Sequence, residues 1–215
     1  MVSTNRQFEE IGEIPDEVRK GMGRVRSNDP RVKRTRAMIR QSFMDLLAAK
    51  DFEDITVQDI VDRAELNRAT FYNHYQDKYE LLDATMADLF AETLASWIPR
   101  EANLQGAELV RRLMLAVCHW QVETTRRLNA RRTLTHAMEE SAKRQLHGVI
   151  LSCLDQARPP RVDRRQLERI ATMISWSIVG VVVRWSSRRE ETAEALVDET
   201  LPYLTPLVER LFANF

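Results

Sequence analysis

The 215-residue sequence predicts an all-α fold. Three observations carry that prediction. Apolar residues recur at helical spacing from Val32 onward, cap signals of the Ser/Thr/Asp/Asn type open one segment after another, and no segment shows the apolar/polar alternation of a half-buried strand.

Residues 1–29 carry three of the six glycines (Gly12, Gly21, Gly23), Pro15 and mixed charge without periodicity, which reads as a flexible arm. Between Arg19 and Arg40 nine basic residues face a single acid, Asp29, the strongest local field of the chain. A first helix then runs to about Lys50 on a stripe of Ile39, Phe43, Leu46 and Leu47, with Arg36 and Arg40 beside it. DFEDIT breaks it. Thr56 with Asp59 forms a capping box for a helix of about two turns, buried through Val57, Ile60, Val61 and Ala64.

Asn67 caps a third helix, 68–75, whose buried face needs only Phe71 and Tyr75. Asp77 with Glu80 opens a long helix through Leu81, Leu82, Met86, Leu89, Phe90, Leu94 and Trp97, closed by Pro99. Helical spacing continues over 105–128, 130–139 and 142–157, up to the ARPPRVD linker. Asp163 with Gln166 caps 164–188, and a last helix, about 191–213, is expected to be interrupted or bent at Pro202 and Pro206. The expected organisation is an arm (1–29), a three-helix domain (30–76) and a helical domain (77–215), about nine helices in all.

Two short helices joined by a tight turn and covered by a third make a helix-turn-helix, whose second helix enters the major groove of DNA. With Phe71 and Tyr75 turned inward, Arg68, Thr70, Tyr72, Asn73 and His74 project from the remaining arc. Arg68 suits guanine and Asn73 adenine, Thr70 a thymine methyl or a phosphate, and Tyr72 and His74 phosphate oxygens. Lys78, in the first turn of the next helix, is a cation where the helix dipole favours an anion, so a phosphate is its expected partner. Thr56 offers a second phosphate clamp at a helix start, and Arg36 closes the basic run that can lie along the backbone or in the minor groove.

The run ITVQDIVDRAELNRATFYNHYQDKYELL, residues 55–82, resembles the DNA-binding signature of the TetR/AcrR family of bacterial one-component regulators. Thr70, Phe71, Tyr72, His74, Tyr75, Lys78, Leu81 and Leu82 fall in its register. Two positions depart from it: Glu65 stands where the family usually has glycine, and Tyr75 where it has phenylalanine. The resemblance implies a homodimer on a palindromic double-stranded operator, most simply a repressor, with the last two long helices packing against their symmetry mates. Ile174, Ile178, Val181 and Val182 around Gly180 are the candidate interface. It also implies a small-molecule effector among the middle helices. Candidates there are Met114, Val117, Cys118, Trp120 and Gln121 on one helix, His136 and Met138 on the next, Ile150 and Leu154, and Trp176 opposite.

Equal numbers of basic and acidic residues, 32 each, do not exclude DNA, since a local patch decides that. No HExxH, GxSxG, phosphate-binding glycine loop or paired carboxylates are present, so no catalysis and no cofactor are expected. Cys118 and Cys153 lack metal-ligand spacing, so they read as buried thiols and no metal is expected. ISWSIVGVVV stops at Arg184, short of a membrane span, and the N-terminus lacks a signal pattern, which points to a cytoplasmic protein. Two other readings stay open: an effector-independent architectural DNA-binding protein, and a ligand-binding helical protein without DNA binding.

Overall fold

A computed structural model describes residues 29–98, 106–128, 132–157 and 162–212. Among these residues lie eight α-helices and one 3-10 turn, with no strand: α1 (Pro30–Ala49), the turn Phe52–Asp54, α2 (Val57–Arg63), α3 (Arg68–Tyr72), α4 (Lys78–Trp97), α5 (Gly106–Leu128), α6 (Arg132–Ala157), α7 (Arg164–Arg188) and α8 (Ala193–Phe212). The expected arm, Pro99 and most of the ARPPRVD linker lie outside the described residues. The ninth expected helix is absorbed because 130–139 and 142–157 join in α6. Its buried residues Met138, Ala142, Leu146, Val149 and Cys153 carry one stripe through the supposed break.

Asp29 caps α1 by accepting from the Arg31 N–H, with Pro30 at the first helical position, where a missing N–H costs nothing. Thr56 and Asp59 form the predicted capping box, as do Asp163 and Gln166. The box at α4 differs: Asp77 accepts from the Tyr79 and Glu80 N–H groups, while the Glu80 carboxylate reaches one residue further back, to the Gln76 N–H. Pro202 and Pro206 do not interrupt α8, which runs through both.

Helices α1, α2 and α3 form the head. Ile39, Phe43, Ile60 and Phe71, each 0 % exposed, make its centre, and Leu81 of α4 joins them. Helix α4 also packs on α5 and α6, so one continuous core runs through the described residues. Helices α6 and α7 pack along each other, and α5 rests on α7 and α8. Ion pairs tie the parts: Arg40 of α1 to Glu92 of α4 at 2.7 Å, and Arg144 of α6 to Asp83 of α4 at 3.0 Å.

Helix α7 corrects two sequence expectations. By length and composition alone it is long and apolar enough to cross a membrane, although only 33 % of its apolar window is buried within the chain. Ile174, Ile178 and Val182, expected at a dimer interface, are 0–1 % exposed and belong to the chain's own core. Met173, Trp176 and Gly180 face outward instead, and a β-carbon built at Gly180 would meet nothing. Ile174, Ile178 and Val182 recur at i, i+4 and i+8 on one face, and that spacing marks a buried stripe without saying whether it packs within the chain or against a second copy.

Candidate nucleic-acid interface

The turn between α2 and α3 sets the angle at which α3 follows α2. Ala64 ends α2 by donating to the Ile60 carbonyl at 2.9 Å, and the Leu66 N–H closes back on the Val61 carbonyl at 2.9 Å. Between them Glu65 sits at φ 56°, the left-handed region that glycine occupies without steric cost. The turn thus keeps the glycine-type geometry with a glutamate in it, and that position stores strain.

Asn67 then opens α3. Its side-chain oxygen accepts from the Thr70 N–H at 2.7 Å and from the Thr70 hydroxyl at 2.9 Å. Phe71, fully buried, and Tyr75, 5 % exposed, hold the helix against the head. On the opposite side Arg68, Tyr72 and Asn73 are exposed, with Thr70 and His74 half-buried at the edges. Tyr72 is 51 % exposed and leans edge-on against Phe71, with ring centroids 5.5 Å apart, so its hydroxyl is carried outward on a braced ring. Thr70 has committed its proton to Asn67, leaving its methyl and oxygen lone pairs to any partner.

The flanking groups are arranged differently from expectation. The Lys78 ammonium donates to the carbonyls of Phe52, Glu53 and Ile55 at 3.0, 2.9 and 2.9 Å, and lies 4.7 Å from the Phe52 ring centroid. An ammonium has three protons, so these bonds use all of them. The cation at the wrong end of the helix dipole is met by carbonyls of the 3-10 turn, and Lys78 bolts the start of α4 to the segment that leads into Thr56. Nothing local in the sequence discloses that partner, which lies 23 to 26 residues away.

The Thr56 hydroxyl is likewise engaged, donating to the Asp59 carboxylate at 2.7 Å. That carboxylate also binds Lys50 at 2.9 Å, and its bonds with Thr56, then Lys50, hold Asp59 well below the usual carboxylate range. Arg36 lies over the Tyr75 ring at 5.2 Å, half-buried, with its Nε lacking a partner. Burial and then the Arg36 charge push the His74 pKa below its ordinary value, so at neutral pH the imidazole is uncharged.

Eight residues of the expected effector set are buried: Met114, Val117, Cys118, Trp120, Gln121, Met138, Ile150 and Leu154. His136 and Trp176 are not with them; both lie on the surface, Trp176 57 % exposed with the Lys143 ammonium 5.2 Å from its ring. Burial, with a smaller contribution from Glu194, pushes the Cys118 thiol up to about 12, which leaves it protonated and unreactive. No grouping of His, Cys, Asp and Glu among the described residues could hold a metal ion.

Residues 42–85 match the family model for bacterial regulatory proteins of the tetR family. The uncharacterized HTH-type transcriptional regulator YxbF of Bacillus subtilis (strain 168) is 40 % identical over 94 residues, 41 % of this chain and 24 % of that protein. The HTH-type dhaKLM operon transcriptional activator DhaS of Lactococcus lactis subsp. lactis (strain IL1403) is 37 % identical over 60 residues, 28 % of this chain and 32 % of that protein. The matches thus span about a quarter and a third of these relatives. Among solved structures, a TetR variant from Acinetobacter baumannii AYE in complex with minocycline aligns at TM-score 0.51 and 20 % identity, over 87 % of this chain and all of that one. The dihydroxyacetone kinase operon activator DhaS aligns at 0.50 and 18 %, over 84 % and 98 %. At these identities the alignments show a shared fold that extends beyond α1–α3 into the helices that follow.

Proposed function

Because this chain is a TetR-family regulatory protein, by the match over its head and the fold of the whole, we propose that it is a cytoplasmic, homodimeric, operator-binding regulator of transcription. The head is residues 30–76 and the body 77–215. The observation that carries this reading is the division of α3: Phe71 and Tyr75 are spent on the core, while Arg68, Tyr72 and Asn73 stand free on the outer face. Arg68 and Asn73 read base edges, Thr70 presents its methyl, and Tyr72 and His74 donate to phosphates. Lys78, Thr56 and Arg36 support this surface from behind by holding the turn and the end of α3, and the basic run before α1 adds phosphate contacts.

A single small head binds weakly, and a two-fold operator calls for a two-fold protein. The outward face of α7, with Met173 52 % and Trp176 57 % exposed, and Tyr203 of α8, 79 % exposed, supply the surface for a second copy. Repression is the proposed outcome, since a dimer seated on promoter DNA blocks polymerase by occupancy alone. Release follows if a small molecule binds better to the dimer whose heads are wrongly spaced.

Footprinting on the DNA beside the gene tests the reading, together with a reporter from the same promoter. Two protected half-sites about 10 base pairs apart, or a multiple of that, and reduced transcription are expected. Protection with raised transcription replaces repressor by activator, and the absence of any protected site contradicts the reading.

A further inference from the structure

Helix α4 is fastened by polar ties at three places, and these alternate between the head and α6. At its start the Lys78 ammonium holds the Phe52, Glu53 and Ile55 carbonyls of the head. Further along, Asp83 is paired with Arg144 of α6 at 3.0 Å. Beyond that the Arg40 guanidinium of α1 reaches Glu92 at 2.7 Å, and Asp88, one turn nearer the start of α4, at 3.6 Å. Two carboxylates share this guanidinium, and Arg36, one turn before Arg40 on α1, adds positive charge within electrostatic reach of Asp88.

From Lys78 to Glu92 the helix rises about 21 Å, at about 1.5 Å per residue. A rod held at one end pivots, whereas one held at both ends of such a span has a fixed direction. Lys78 therefore sets where α4 begins on the head, and Arg40 sets the angle at which it leaves. Over that span a rotation of roughly 10° displaces the far end by about 4 Å, close to the rise of one base pair, about 3.4 Å. Arg40 is 30 % and Glu92 59 % exposed, so losing the pair leaves the fold intact while freeing the angle.

We propose that Arg40 is a positioning residue for operator recognition: by holding Glu92 and Asp88 it fixes the angle between the head and α4, and with it the half-site spacing that the two heads of a dimer can grip at once. The spacing part rests on the operator-binding reading above; the fixed angle does not.

The angle is read without DNA, in the full chain. Spin labels go on Ala48→Cys, exposed near the end of α1, and on Gly148→Cys of α6, where an added β-carbon meets nothing; the native Cys118 and Cys153 are buried. Labelled chains are diluted into unlabelled ones, and the separation of the labels is measured by pulsed electron paramagnetic resonance. With Arg40 intact the distribution should be single and narrow. Arg40→Met should broaden it, Asp88→Ala with Glu92→Ala should do the same, and all three changes together should go no further. Arg40→Lys, which keeps the charge, should keep it narrow. A distribution that Arg40→Met leaves unchanged overturns the proposal.

Operators whose spacer is lengthened or shortened by a single base pair then read the spacing, by fluorescence anisotropy. The unaltered protein should prefer the native spacer about tenfold or more, and Arg40→Met should narrow that preference to about threefold or less. Affinity for a lone half-site should stay within about twofold. A preference that survives Arg40→Met overturns the spacing part. An equal loss at every spacing and on the half-site makes Arg40 a DNA contact and overturns it as well. Broadening in a protein that binds no DNA would leave the fixed angle standing and refute the proposed function.

Discussion

The Lys78 ammonium lies 2.9 Å from the carbonyl oxygen of Ile55, the residue just before the cap Thr56. Together with the Phe52 and Glu53 carbonyls it turns the first residue of α4 into a clamp on the segment entering α2. Lys78→Met should destabilise the fold by about 1–3 kcal/mol in urea unfolding, the range for hydrogen bonds to a charged group. It should leave the slope of log affinity against log salt unchanged, whereas loss of a phosphate contact would flatten that slope by about 1.

His74 supplies a pH signature. Its folded pKa lies below the ordinary imidazole value through burial and the Arg36 charge. The unfolded chain therefore takes up the proton first, and stability falls as pH drops below the ordinary value. On DNA a phosphate favours the charged form, so operator affinity should rise from about pH 8 to about pH 5.5. The rise should be absent in His74→Gln, as measured by fluorescence anisotropy.

Glu65 at φ 56° is a test of stored strain. Glu65→Gly should stabilise the protein by about 0.5–1 kcal/mol, the left-handed penalty less the entropy of an added glycine. In a thermal melt that is a rise of roughly 1–4 °C.

Trp176 and Ile178 separate interface from core. Trp176→Glu should shift the protein from dimer to monomer in sedimentation with its helical circular dichroism intact. Ile178→Glu, at 0 % exposure, should unfold it.

Much of this was legible in the sequence because it is locally encoded. Thr56 with Asp59, Asn67, and Asp163 with Gln166 all act within one turn, and Phe71 and Tyr75 are four residues apart. What was not legible depends on tertiary placement. The glycine position filled by Glu65 left the turn's geometry open until the backbone fixed it. Lys78 looked like a phosphate donor because its true partners, three carbonyls of a 3-10 turn, are distant in sequence. The packing of α7 was not legible because Ile174, Ile178, Val181 and Val182 form one stripe, and the spacing of a stripe does not say whether it packs within the chain or against a second copy.

The central claim is that the outward face of α3 reads base sequence, and equilibrium anisotropy with the DNA beside the gene tests it most directly. Arg68→Ala and Asn73→Ala should each weaken binding to that DNA by about 5- to 150-fold, equivalent to about 1–3 kcal/mol, while affinity for unrelated DNA stays nearly constant. Unchanged preference for the specific site in both variants would contradict the account.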